Sequence, residues 1–251
     1  MLKNIQILES SKDFIPFSKC MGLVKQYKYK HLKTDFYIYD QTNNNFDNLQ
    51  SIYNNLTQIY QIMMDKYNNK NSINSIYIIL LDQQKYLDFY DSDRGDVNSA
   101  YYVRSTKELC VYKKTEYQYR FIHEMCHHLE LEYVCNIDIP DRLPSYINTI
   151  FHHPEMLISE ICVEYNAILN YIEIFKKKPP KYYKLDDYMN ILSSIKNIDI
   201  LAKFIRYYIF PVKMLKYVET NNTDINGKQI MTEITKHLNK NPKYNSGILV
   251  V

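Results

Sequence analysis

The chain has 251 residues, 46% of them hydrophobic, with 31 Lys and Arg against 28 Asp and Glu for a net charge of +3. That suits one generous globular domain, or one domain with a helical appendage, and it lacks the basic excess that nucleic-acid binding requires. No run of 18 apolar residues occurs, so no membrane span is expected, and Met1 to Glu9 offers no apolar stretch of signal-peptide length. Five cysteines without tight spacing argue against a disulfide framework and for a cytoplasmic or otherwise intracellular setting. Asn, Lys, Ile and Tyr abound, Trp is absent and Gly numbers 4, a codon bias expected of an AT-rich genome such as that of a parasite, a bacterium or phage, or a large virus.

Residues 1–20 read as an irregular lead. Leu23 to Tyr29 and Phe36 to Tyr39 are rich in Tyr and β-branched residues and predict two strands. From Phe46 to Lys66 the apolar residues Leu49, Ile52, Tyr53, Leu56, Ile59, Tyr60 and Met63 recur at helical spacing. Ser75 to Leu81 predicts a buried strand, and Asp91 to Asp96, with Gly95, a turn-rich loop. Ala100 to Arg104 and Leu109 to Tyr112 predict two further strands joined by Ser105, Thr106 and Lys107. Cys110, Cys126 and Cys162 read as small buried apolar residues.

A helix is predicted next, from about Glu116 to about Glu132, opened by a capping box of Thr115 and Gln118. It carries His-Glu-x-x-His at His123, Glu124 and His127. Residues four apart stand one above the other on a helix face, so two imidazoles at this spacing can grip one zinc ion. Glu124 is then placed to act as general base on the metal's water. The bland alternative is a partly exposed helix with two incidental histidines.

A catalytic zinc normally takes three protein ligands and keeps one position open. The extended pattern with Gly and a third His is excluded, because Glu130 and Tyr133 stand at those places. A second helix supplies the alternative. Pro154 suits its first turn, and Leu157, Glu160, Glu164, Ala167 and Tyr171 share one face. A glutamate in so apolar a helix needs a partner if buried, and a metal would be one. Glu160 and Glu164, one turn apart on that face, are the candidate third ligands, and a solvated surface acid is the bland reading of Glu164. His152, His153 or Tyr146 could stabilise an oxyanion, or the two histidines could lie in an exposed turn.

Beyond this helix, Lys176 to Lys181 reads as a basic linker. Tyr188 to Ile195, Ile200 to Ile209, Val212 to Val218 and Lys228 to Leu238 predict helices, with Pro211 forcing a break. The expected division is residues 1–20 as the lead, 21–178 as the main domain and 179–251 as a helical C-terminal subdomain.

His-Glu-x-x-His followed by Glu-x-x-x-Glu resembles the pattern of the gluzincin metallopeptidases, over Thr115 to Tyr171 and most nearly their small, minimal members and toxin-type catalytic domains. The 32 residues between His127 and Glu160 fall within that family's range. The resemblance implies an α+β, zincin-like fold: a small mixed β-sheet, an active-site helix and a glutamate helix, then a helical C-terminal part. It implies zinc on His123, His127 and Glu160, Glu124 as general base, and Glu164 as an acid that orients a zinc-binding His. It also implies an edge strand before the zinc helix that binds substrate by backbone pairing, for which Leu109 to Lys113 is the candidate, the bland alternative being an ordinary core or edge strand. The expected function is a zinc peptidase, an endopeptidase rather than an exopeptidase, acting on a peptide or protein, with no nucleic-acid or membrane partner. The alternatives are a catalytically silent binding or structural protein on the same fold, for example in a viral particle, and another zinc-assisted hydrolysis such as deamidation or deacetylation.

Overall fold

The computed structural model describes residues 25–29, 33–82, 100–114, 116–133, 136–137, 154–179, 205, 209–221, 224–226, 229–230, 232–233 and 236. Contacts divide the chain into two compact units. The first comprises Met1–Tyr86, Ser92–Glu130 and Asn170–Lys177, and the second comprises Leu87–Asp91, Leu131–Leu169 and Lys178–Val251. The class is mixed α and β. The predicted lead at 1–20, the loop at 91–96, the helix at 188–195 and most of the helix at 200–209 lie outside the described residues.

The first unit is built on a five-stranded mixed sheet in the order β1-β2-β3-β5-β4. Its strands are β1 (Lys25–Tyr29), β2 (Thr34–Asp40), β3 (Ser75–Leu81), β4 (Ala100–Val103) and β5 (Glu108–Lys113). β2, β3 and β5 run parallel, and β1 and β4 pair antiparallel at the two sides. Side chains alternate across a strand, so β2 and β3 send Phe36, Ile38, Ile76 and Ile78, all fully buried, to one face. Helix α1 (Phe46–Lys66) connects β2 to β3 and turns Leu49, Ile52, Leu56, Ile59, Tyr60 and Met63 inward. Phe36 meets Tyr53 and Tyr60 edge to face at 5.5 and 6.2 Å. On the opposite face Tyr37 and Tyr77, cross-strand partners, stack at 4.9 Å. The Tyr60 hydroxyl is fully used, lying 3.2 Å from Thr34 Oγ1 and accepting the Ile73 N–H at 3.1 Å.

α1 starts where Asn45 accepts the Asn48 N–H at 2.9 Å, an ordinary N-cap, with Asp47 in the first turn. Just before it, Asp40 is buried at the end of β2 and receives Lys114 Nζ at 3.1 and 3.0 Å, Thr42 Oγ1 at 2.9 Å and Asn48 Nδ2 at 3.1 Å. Burial alone would raise the Asp40 pKa, but the hydrogen bonds from Lys114, Thr42 and Asn48 outweigh it and hold the carboxyl below its ordinary value. Asp40→Asn should therefore cost about 1.5–3 kcal/mol in urea unfolding near neutral pH. A depressed folded pKa stabilises above the unfolded value, about 3.9, and loses that contribution as pH falls through the folded value. The gap between wild type and Asp40→Asn should accordingly shrink below about pH 4; a gap that widened on acidification would contradict the assignment.

Two expectations for this unit need correction. The strand proposed for substrate pairing, Leu109 to Lys113, is not an edge: β5 is bonded to β3 on one side and to β4 on the other, so its N–H and C=O groups already have partners. Among the described strands the edge there is β4. The zinc-motif helix, α2, is shorter than predicted and spans Tyr117–His128. Glu116 occupies the cap position in the left-handed region, φ 62°, without a side-chain cap bond, and Thr115, the first residue of the predicted capping box, lies outside the described residues. At the other end Glu130, φ 57°, turns the chain out of the helix. α2 packs against β4, β5 and α1.

In the second unit, helix α3 (Pro154–Phe175) starts at the predicted proline, and its last turns, from Asn170, belong to the first unit. Asn166, buried on α3, donates from Nδ2 to the carbonyls of Cys162 at 3.0 Å and Leu131 at 3.3 Å. Helix α4 (Phe210–Glu219) is followed by β7 (Asp224–Ile225), which pairs in parallel with β6 (Asn136–Ile137). Pro211 sits in the first turn of α4, where its missing N–H costs nothing. In the predicted last helix, residues 229–230, 232–233 and 236 are helical. The buried Lys213 pairs with Glu233; desolvation, then the neighbouring Lys216, lowers its pKa. Among the described residues no helix is long and apolar enough to cross a membrane.

Candidate metal centre

α2 places two imidazoles and a carboxylate within five residues. His123 and His127 are one turn apart, their ring centroids 5.3 Å from each other. His123 is 9% exposed and Glu124 6%, while His127 is more open. Around them Phe121, Ile122, Met125 and Cys126 are fully buried, which anchors the helix and fixes the face on which the histidines stand. Cys126, Cys110 and Cys162 are buried and in no disulfide, and burial pushes the Cys110 thiol up to about 12, so it is no thiolate at neutral pH.

α3 contributes the acids. Glu160 joins His123 and His127 in a group able to hold a metal ion, each residue offering one ligand atom and all three atoms within 4.8 Å of one another. Donors about 2.1 Å from a tetrahedral ion lie roughly 3.4 Å apart, so the difference is within reach of side-chain rotation. Two imidazoles and one carboxylate are a donor set that zinc accepts, with a fourth position left over. Glu164, one turn further on, is 4% exposed, which excludes the reading of it as a solvated surface acid. His152, His153 and Tyr146 lie outside the described residues.

One residue beside the motif escaped the sequence reading. His128, 7% exposed, has Nε2 at 2.8 Å from the Asn71 carbonyl and Nδ1 at 3.0 Å from the Tyr102 hydroxyl. A carbonyl only accepts, so Nε2 donates and the neutral ring's Nδ1 accepts from Tyr102. Burial lowers the His128 pKa, consistent with that neutral form. His128 thus ties the end of α2 to edge strand β4 and to the turn after α1. Its position next to His127 was visible in the sequence, but nothing local distinguishes an anchor from a surface histidine. Comparison with known proteins gave no matching family model, no matching curated protein and no matching solved structure.

Proposed function

We propose that this protein is a zinc-dependent peptidase of zincin type, with His123, His127 and Glu160 as the metal ligands and Glu124 as the general base. The observation that supports it most is the convergence of those three donor atoms within 4.8 Å, with the motif's glutamate beside the first histidine. Zinc held there would supply a Lewis acid for a carbonyl and a water acidified towards neutrality. Glu124 would take the proton of the attacking water and return it to the leaving amine nitrogen. Glu164, buried along the same helix, would orient one of the ligand imidazoles, as acids near metal-bound histidines commonly do. An extended peptide would pair with the outer side of β4, the last of the described strands, in the mode in which main-chain bonds give affinity and alternate side chains give selectivity.

The test is hydrolysis of a peptide library and of denatured casein by the zinc-loaded protein, with the Glu124→Gln variant alongside. Cleavage by wild type that zinc chelation abolishes and the variant lacks is expected. Equal cleavage by both would refute the role of Glu124. Stoichiometric zinc with no cleavage of any peptide would favour a binding role for the same fold.

A further inference from the structure

We propose that Tyr171, seated against Tyr119, is a positioning residue that sets the angle at which α3 presents Glu160; this rests on the metal-site reading above. A helix turns about 100° and rises about 1.5 Å per residue. Glu164 is seven residues and Glu160 eleven residues before Tyr171, so all three stand within about 20° of one line along α3, over some 16 Å. On α2, Tyr119, His123 and His127 follow one another at steps of four and share a face in the same way. The two faces therefore carry matching sequences of groups: an aromatic ring at one end and metal donors at the other.

The aromatic end is firmly built. Tyr119 and Tyr171, 1% and 3% exposed, meet edge to face with centroids 5.7 Å apart. Tyr171 also packs on Phe175 at 4.6 Å, and the Arg120 guanidinium lies over the Tyr119 ring at 5.1 Å while it pairs with Glu116 at 3.2 Å. One residue back, Asn170 Oδ1 receives Lys66 Nζ at 3.0 Å and lies 3.1 Å from the Tyr67 hydroxyl, and Lys66 also pairs with Glu173. The last turns of α3 are thus held by the end of α1 and the start of α2. A carboxylate about 5.5 Å from the helix axis moves about 2 Å for a 20° rotation, which is as long as a whole zinc–oxygen bond. Releasing the aromatic end lets α3 rotate and carries Glu160 away from the imidazoles.

Cobalt(II), whose visible absorption reports ligand number and geometry, is the probe. It is titrated into the wild-type protein and into Tyr171→Leu, Tyr171→Phe and Leu56→Ala, the last a buried α1 residue that removes core volume from under the sheet. Tyr171→Leu should weaken cobalt binding about tenfold or more, by analogy with groups that orient metal ligands, and should alter the absorption band. Tyr171→Phe should restore both, because the ring is kept. Leu56→Ala should lower Tm and leave affinity and spectrum unchanged. If Tyr171→Leu does not fold, Asn170→Ser should give a smaller loss of affinity in the same direction. Wild-type affinity and spectrum in the folded Tyr171→Leu or Asn170→Ser protein would overturn the proposal, as would an equal loss in Leu56→Ala. No cobalt binding by wild type would instead bring down the metal site itself, and the positioning role with it.

Discussion

Glu124→Gln is expected to retain stoichiometric zinc and to lose peptide hydrolysis by about 10²–10⁴-fold, the range a positioned general base contributes. The substitution preserves shape and one acceptor oxygen, so the buried helix should fold unchanged. It removes only the ability to take a proton. Glu124 is adjacent to His123 and so points about 100° around the helix from it, which separates the base from the ligands and the chemistry from metal retention. The measurement is kcat on a cleaved peptide together with zinc content after gel filtration. Loss of both zinc and activity would show Glu124 to be a ligand or a structural element, and unchanged kcat would remove it from the reaction.

Glu160→Ala is expected to weaken zinc binding by more than the 10–100-fold typical of groups that only orient ligands, because it deletes a donor outright. Two imidazoles remain, and they do not make the three-ligand set of a catalytic zinc. Glu164→Gln provides the comparison: an orienting acid should cost about 10–100-fold and leave the ligand number unaltered. Competition titration against a chromophoric chelator measures both. A larger loss in Glu164→Gln than in Glu160→Ala would exchange their roles.

How far these assignments could be read from sequence depends on how local the determining physics is. α1 and β3 have the predicted bounds, because a 3.6-residue apolar period and a short β-branched run bounded by polar residues are each complete within their own segment. The C-terminal end of α2 differs from the expected Glu132 because Glu130 turns the chain out by adopting positive φ, which glycine would have announced and glutamate does not. The place of β5 inside the sheet was invisible for a different reason. Strand order follows pairing partners far apart in sequence, and a β4–β5 hairpin can add to β3 through either strand.

The candidate site divides along the same line. His123, Glu124 and His127 follow from spacing on one helix, while spacing leaves Glu160 and Glu164 together on one face of the next, and only the resemblance to the gluzincin pattern chose Glu160 between them. What holds them in place does not follow. Tyr119 meeting Tyr171, Asn170 receiving Lys66, and His128 bridging Asn71 and Tyr102 are contacts between residues 26 to 104 positions apart. No periodicity encodes them, although Tyr119, one turn before His123, was open to notice.

The most direct measurement of the central claim is X-ray absorption at the zinc edge of the stoichiometrically loaded protein. A first shell of nitrogen and oxygen only, at about 2.0–2.2 Å, is expected. It should contain two imidazole signatures and a carboxylate, and Glu160→Ala should remove the carboxylate alone. A first shell containing sulfur, a shell with fewer than two imidazoles, or failure of the purified protein to hold zinc would contradict the account.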